Sequence, residues 1–121
     1  MKIADNPGFW RMLDEMIEQS NIVIDRPKNS RHPKHPEYTY PVDYGYLEGT
    51  FSMDGEGIDL WLGCLPEQKL TALFVTVDPV KRDSEIKLLI GCSDEEIALI
   101  DLFFNGYDTM KGLLVYRDTD L

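Results

Sequence analysis

Apolar residues at Phe9, Leu13, Met16 and Ile17 recur at helical spacing, with Asp14, Glu15 and Glu18 off that stripe. A helix packed by one face is therefore expected, opened by Asn6 as cap and Pro7 in the first turn. The β-branched run 22–24 and the stretches 44–51, 58–62, 70–77 and 85–90 carry strand composition. Ser93 and Glu96 form a capping box, and the helix they open turns Ile97, Ile100, Phe103 and Phe104 inward before Asn105-Gly106 closes it. Residues 112–117 are a last strand or an extended tail. Short strands flanked by helices, without regular βαβ alternation, predict an α+β or mainly β chain. The expected architecture is a single domain over 1–121, a small barrel-like antiparallel sheet with an N-terminal and a C-terminal helix.

Residues 25–41 break the pattern. Pro27, Pro33, Pro36 and Pro41 punctuate them, and Arg26, Lys28, Arg31 and Lys34 add four formal positives beside His32 and His35. An extended, hydrated loop is expected. This local excess of cations stands out because the whole chain of 121 residues is acidic, with 12 Lys and Arg against 22 Asp and Glu, a net charge of −10. That balance argues against nucleic-acid binding, which neutralises phosphates with basic surface, and against docking on anionic lipid. With 43% apolar residues the chain can bury one core without staples. Asp5, Arg11, Asp14 and Glu15 interrupt any signal-peptide core, and no run reaches the length of a membrane span. The two cysteines, Cys64 and Cys92, are expected as reduced thiols of a cytoplasmic protein.

Three groups carry candidate chemistry. Asp54-Gly55-Glu56-Gly57-Ile58-Asp59 puts three carboxylates in six residues, hinged by glycines, a pattern that offers oxygen ligands to a hard divalent cation and equally makes an ordinary hairpin turn. Asp78, Asp83 and Glu85 bracket Lys81 and Arg82 between two strands, as charged surface or as the completion of a metal site. The segment 38–46 holds four tyrosines, Tyr38, Tyr40, Tyr44 and Tyr46, whose hydroxyls can bind anionic oxygens or whose rings can pack a sheet. Cations and tyrosines beside clustered carboxylates suit a metal-complexed phosphate, because the metal reconciles anionic ligands with an anionic substrate.

Tyr40-Pro41-Val42-Asp43-Tyr44-Gly45-Tyr46 followed by Asp54-Gly55-Glu56-Gly57-Ile58-Asp59 resembles the core signature of the soluble family I inorganic pyrophosphatases, and the run from Ile22 to Lys28 is similar to the strand and proline ahead of it. The resemblance is good over 22–62, suggestive over 74–90 and faint in the last helix. It implies an OB-like barrel and hydrolysis of pyrophosphate with Mg²⁺, Mn²⁺ being the alternative. By the same resemblance Asp54, Asp59, Asp78 and Asp83 would be metal ligands, with Glu85 an alternative to Asp83. Lys34, Tyr44, Lys87 and Tyr107 would contact substrate phosphate. Glu56 would take the position of the base for the attacking water, and Asp25 that of a glutamate in the water network. Homo-oligomers are common in the family.

The chain departs from that signature at Glu56, one methylene longer than the usual aspartate, at Gly57 in place of proline, and at Asp108 in place of lysine. It is also shorter, chiefly between Pro27 and Tyr40, where a hairpin usually supplies a phosphate-binding arginine; Arg31 is the candidate to replace it. The expected function is Mg²⁺-dependent hydrolysis of a phosphoanhydride, most simply pyrophosphate. The alternative is a metal-dependent binder of phosphorylated ligands or of a partner protein on the same fold.

Overall fold

A computed structural model describes residues 6–117. The elements run α1 (Pro7–Glu18), β1 (Ile22–Arg26), β2 (Asp43–Leu47), β3 (Ile58–Leu62), β4 (Leu70–Asp78), β5 (Asp83–Ile90), α2 (Asp94–Asn105) and β6 (Lys111–Tyr116). Asn6 caps α1 by accepting from the Phe9 amide at 3.1 Å, with Pro7 at the first helical position. The buried stripe is set one residue later than Phe9: Trp10 and Leu13 are buried, while Phe9 stays 44% exposed against the edge of Trp10.

The six strands form one sheet in the order β1-β2-β3-β5-β4-β6. This is an α+β fold with helices near both ends, as the pattern predicts, but the sheet is mixed and does not close into a barrel. β5 inserts between β3 and β4 and pairs with β3 in parallel, Trp61 opposite Leu89, while the other ladders are antiparallel. β1 and β6 stand at the two ends of the order. Residues 111–116 are thus a strand on the outer side of β4, which resolves the open choice between strand and tail.

Period-two alternation sends two sets of side chains to opposite faces. Leu47, Leu60, Leu73, Leu88 and Ile90 bury one face beside Trp10 and Leu13 of α1. Tyr40, Trp61, Phe74 and Leu89 bury the other beside Ile97, Ile100 and Phe104 of α2. Arg117 ties the end of the sheet to α1 with two bonds to the Asp14 carboxylate at 2.8 and 2.9 Å. Among the described residues no helix is long and apolar enough to cross a membrane.

Two local outcomes differ from expectation. The strand expected over 44–51 ends at Leu47, because Gly49 takes φ +84° and the Thr50 hydroxyl turns back to donate to the Leu47 carbonyl at 2.8 Å. The segment 25–41 is no simple extended loop. The Asn29 amide donates to the Tyr40 carbonyl and the Tyr40 amide to Ser30, at 2.8 and 2.9 Å, with a bridge between Arg31 and Thr39. A short hairpin remains where a longer one was expected to be missing.

Candidate functional site

The register of the sheet gathers the chemistry on the α2 face. Asp59 lies opposite Tyr46 on β2, and Tyr44 is opposite Trp61. On β5, Asp83, Glu85 and Lys87 alternate onto the same face, opposite Asp78, Thr76 and Phe74 of β4. Arg26 reaches this face through an irregularity. Ile24 pairs with Gly45, but Arg26 pairs with the very next β2 residue, Tyr44, so Asp25 is the extra residue of a bulge. Without it, alternation would turn Arg26 to the α1 side along with Ile22 and Ile24. Gly45 permits this close pairing, since a Cβ there would lie 1.8 Å from the Val23 carbonyl oxygen.

Lys87 is the centre of the cluster. Its ammonium donates to Asp59 Oδ2 at 2.5 Å, Glu85 Oε1 at 3.1 Å and Tyr44 Oη at 3.1 Å. Those three bonds use all its donors. Burial opposes the charge, but the facing Tyr44 oxygen and the carboxylates of Asp59 and Glu85 overcome it and raise the Lys87 pKa above the ordinary lysine value. Tyr44 is held neutral by burial, which raises its pKa against the pull of Lys87. Glu85 continues outward to Ser52 at 3.3 Å, and Ser52 donates to Asp54 at 2.7 Å. That bond, with the Glu56 amide donating at 2.9 Å, lowers the Asp54 pKa.

A cleft of about 380 Å³ opens above this cluster. Lys87, Tyr44, Tyr107 and Asp78 line it, as the sequence suggested for a site. Arg26, Lys81, His32 and His35 line it as well; from the sequence Arg26 counts only as one of the loop cations suited to phosphate, and none of the four is singled out as a site residue. Arg26 donates to the Tyr40 hydroxyl and lies 5.5 Å from that ring's centre. His32 stacks on Tyr40 with centroids 6.3 Å apart, and its Nδ1 accepts from the Lys34 and His35 amides at 3.1 and 3.2 Å. Burial, then the nearby positive charge of Arg26, His35 and Lys81, lowers the His32 pKa. Arg26 and Lys81 thus line this cleft together with the carboxylates of Glu37 and Asp78, while Lys87 at its floor is already paired with Asp59 and Glu85.

Other expected site residues lie elsewhere. Arg31 and Lys34 are exposed on the hairpin and do not line the cleft, nor does Asp25, exposed at the bulge. Glu56 is exposed at the β2–β3 turn. Asp78 accepts the Val80 and Lys81 amides at 3.0 and 3.1 Å, fixing the turn that presents Lys81, and Asp83 is its half-buried partner across the hairpin. Among the described residues no three His, Cys, Asp or Glu side chains gather in a group that would hold a metal ion. Asp54, Asp59, Asp78 and Asp83 share a region of the sheet but do not converge. The ammonium of Lys87 already serves Asp59 and Glu85, so the side chains as placed do not fit a resident Mg²⁺. A sequence signal for Arg26 existed only in hindsight of the bulge, which places it opposite Tyr44.

Cys64 is exposed and Cys92 buried, both as free thiols. Burial pushes the Cys92 thiol up to about 12.

No protein-family model matches the sequence, and no curated protein matches it. Among solved structures, a crystal structure of an inorganic phosphatase from Anaplasma phagocytophilum is similar, with a TM-score of 0.53 at 14% identity, covering 78% of this chain and 81% of that chain. The likeness is one of fold: this chain has an architecture also found in an inorganic phosphatase.

Proposed function

We propose that the chain hydrolyses a phosphoanhydride in the α2-face cleft, with inorganic pyrophosphate the simplest substrate. The observation that carries this reading is the convergence of Arg26, Lys81 and Lys87 with the Tyr44 hydroxyl in one cleft. Phosphoryl transfer asks of a protein chiefly positioning and charge stabilisation, and these groups supply both. In this reading Arg26 and Lys81 hold phosphoryl oxygens, and Lys87 keeps Asp59 and the Tyr44 hydroxyl in place at the floor. Glu56 is the proposed acceptor of the water proton, carried on a turn that Asp54 and Ser52 brace. Mg²⁺, or Mn²⁺ in its place, enters as the complex of the substrate, since the carboxylates of Asp54, Asp59 and Asp78 are committed to Ser52, Lys87 and the Val80–Lys81 turn.

Binding without turnover is the second reading, favoured by the exposure of Glu56 and by Lys87 occupying the space between Asp59 and Glu85. Phosphate release from pyrophosphate and from ADP, with Mg²⁺ and with chelator, separates the two. Hydrolysis predicts Mg²⁺-dependent release from at least one of them that is largely lost in Arg26→Gln and in Lys81→Gln while the far-ultraviolet circular dichroism is kept. No release from either at any Mg²⁺ concentration, with binding retained, would select the binder.

A further inference from the structure

A second cleft of about 360 Å³ adjoins the first. Leu99 and Leu102 of α2 form part of its wall, with Thr39 and Pro41 ahead of β2. No side chain lining it is charged. Tyr38, Phe103 and Tyr107 belong to both clefts, so a charged half, lined by Arg26, Lys81 and Lys87 with Glu37 and Asp78, and an uncharged half share one aromatic wall. That wall is braced. The Tyr38 ring meets Tyr107 edge-on with centroids 4.7 Å apart and Phe103 at 6.2 Å, and its hydroxyl lies 3.3 Å from Thr109 Oγ1.

The core does not account for the exposed part of this surface. α2 already buries Ile97, Ile100 and Phe104 against the sheet, yet Leu99, Leu102 and Tyr107 are 48%, 65% and 45% exposed around the concavity. Ligand sites combine apolar and aromatic walls with a few convergent polar groups, and a bare phosphoanhydride has no part to place against such a wall.

We infer that the ligand is an organic diphosphate, its phosphates against Arg26 and Lys81 in the charged cleft and an uncharged planar ring in the adjoining cleft against Tyr38, Phe103 and Tyr107, with a nucleoside diphosphate as the type. This rests on the phosphate reading proposed above and names its substrate class. The two clefts adjoin at Tyr38, Phe103 and Tyr107, one offering cations to phosphate and the other only uncharged side chains to a ring. Stacking of a base on aromatic rings tightens binding by about tenfold.

Isothermal titration with hydrolysis-resistant probes tests this without relying on turnover. With Mg²⁺ present, α,β-methylene-ADP is expected to bind about tenfold tighter than methylenediphosphonate. Leu102→Gln, at a position exposed enough to leave the fold intact, is expected to reduce that advantage several-fold while methylenediphosphonate binds as before. Equal affinity of the two probes, or equal weakening of both by Leu102→Gln, overturns the inference and leaves the phosphate site standing. Tighter binding of a long-chain alkyl diphosphonate than of the nucleoside analogue overturns the planar-ring assignment. If neither phosphonate binds, the phosphate reading itself fails and the inference with it.

Discussion

Replacing Lys87 with Met removes an ammonium that three acceptors share and retains most of the volume. Lys87 is 7% exposed, and the side chains of Asp59 and Glu85 are 23% and 10% exposed, so little water is available to take over. Removing one member of a buried ion pair costs about 3–5 kcal/mol, chiefly because the remaining charge is left uncompensated. Asp59 has partial access to solvent, which places the expected loss near the lower end, about 3 kcal/mol. Domains of this class have about 5–15 kcal/mol in total, so the variant folds with a much reduced margin. Urea unfolding followed by the fluorescence of the two buried tryptophans, Trp10 and Trp61, the latter packed 4.7 Å from the Tyr44 ring, measures the loss. The Lys87 pKa is raised on folding, so its contribution is complete below the ordinary lysine value and is lost only as pH rises through the raised one. The gap between wild type and variant is therefore flat from about pH 7 to about pH 10. Adding Asp59→Asn to Lys87→Met recovers part of the loss, since it removes one of the two stranded charges. The variant also opens the space between Asp59 and Glu85, so Mg²⁺ raises its melting temperature more than that of the wild type. A loss below about 1 kcal/mol, or strict additivity in the double variant, would refute the account of Lys87 as the internal counter-ion of this face.

Two further predictions concern the frame of the site. Glu96 accepts the Ser93 amide at 2.9 Å and the Cys64 amide at 3.1 Å, linking the start of α2 to the loop after β3. Burial works against its charge, but the Ser93 and Cys64 donors prevail and its pKa is lowered, so its contribution is present near neutrality and is lost as pH falls through the lowered value. Glu96→Ala is expected to cost about 1–2 kcal/mol in urea unfolding at pH 7, against a few tenths for the exposed neighbour Glu95→Ala; equal losses would reject the tie. The thiols differ in access. Cys64 reacts with a disulfide reagent in the native protein, whereas Cys92, 4% exposed with its thiol raised to about 12, reacts only on unfolding, and rapid native labelling of both would contradict its burial.

Much of the frame was legible in the residues because it depends on local chemistry. The Asn6-Pro7 start, the Ser93–Glu96 box and the alternation of β3, β4 and β5 each follow from propensities and hydrogen bonds within a few positions. Alternation within one strand likewise assigns Glu85 and Lys87 a common face. What no local rule contains is which strand lies beside which. The insertion of β5 between β3 and β4 turned an expected antiparallel barrel into an open mixed sheet, and only that neighbour relation brings Lys87 to Asp59, 28 positions away in the chain. The single extra residue at Asp25 likewise decides that Arg26 faces the cleft, because a one-residue shift of register reverses the face of a side chain. Residue types thus determined the elements and the kind of chemistry this chain can carry. The tertiary structure decided which charges meet, because that depends on contacts between segments far apart in sequence.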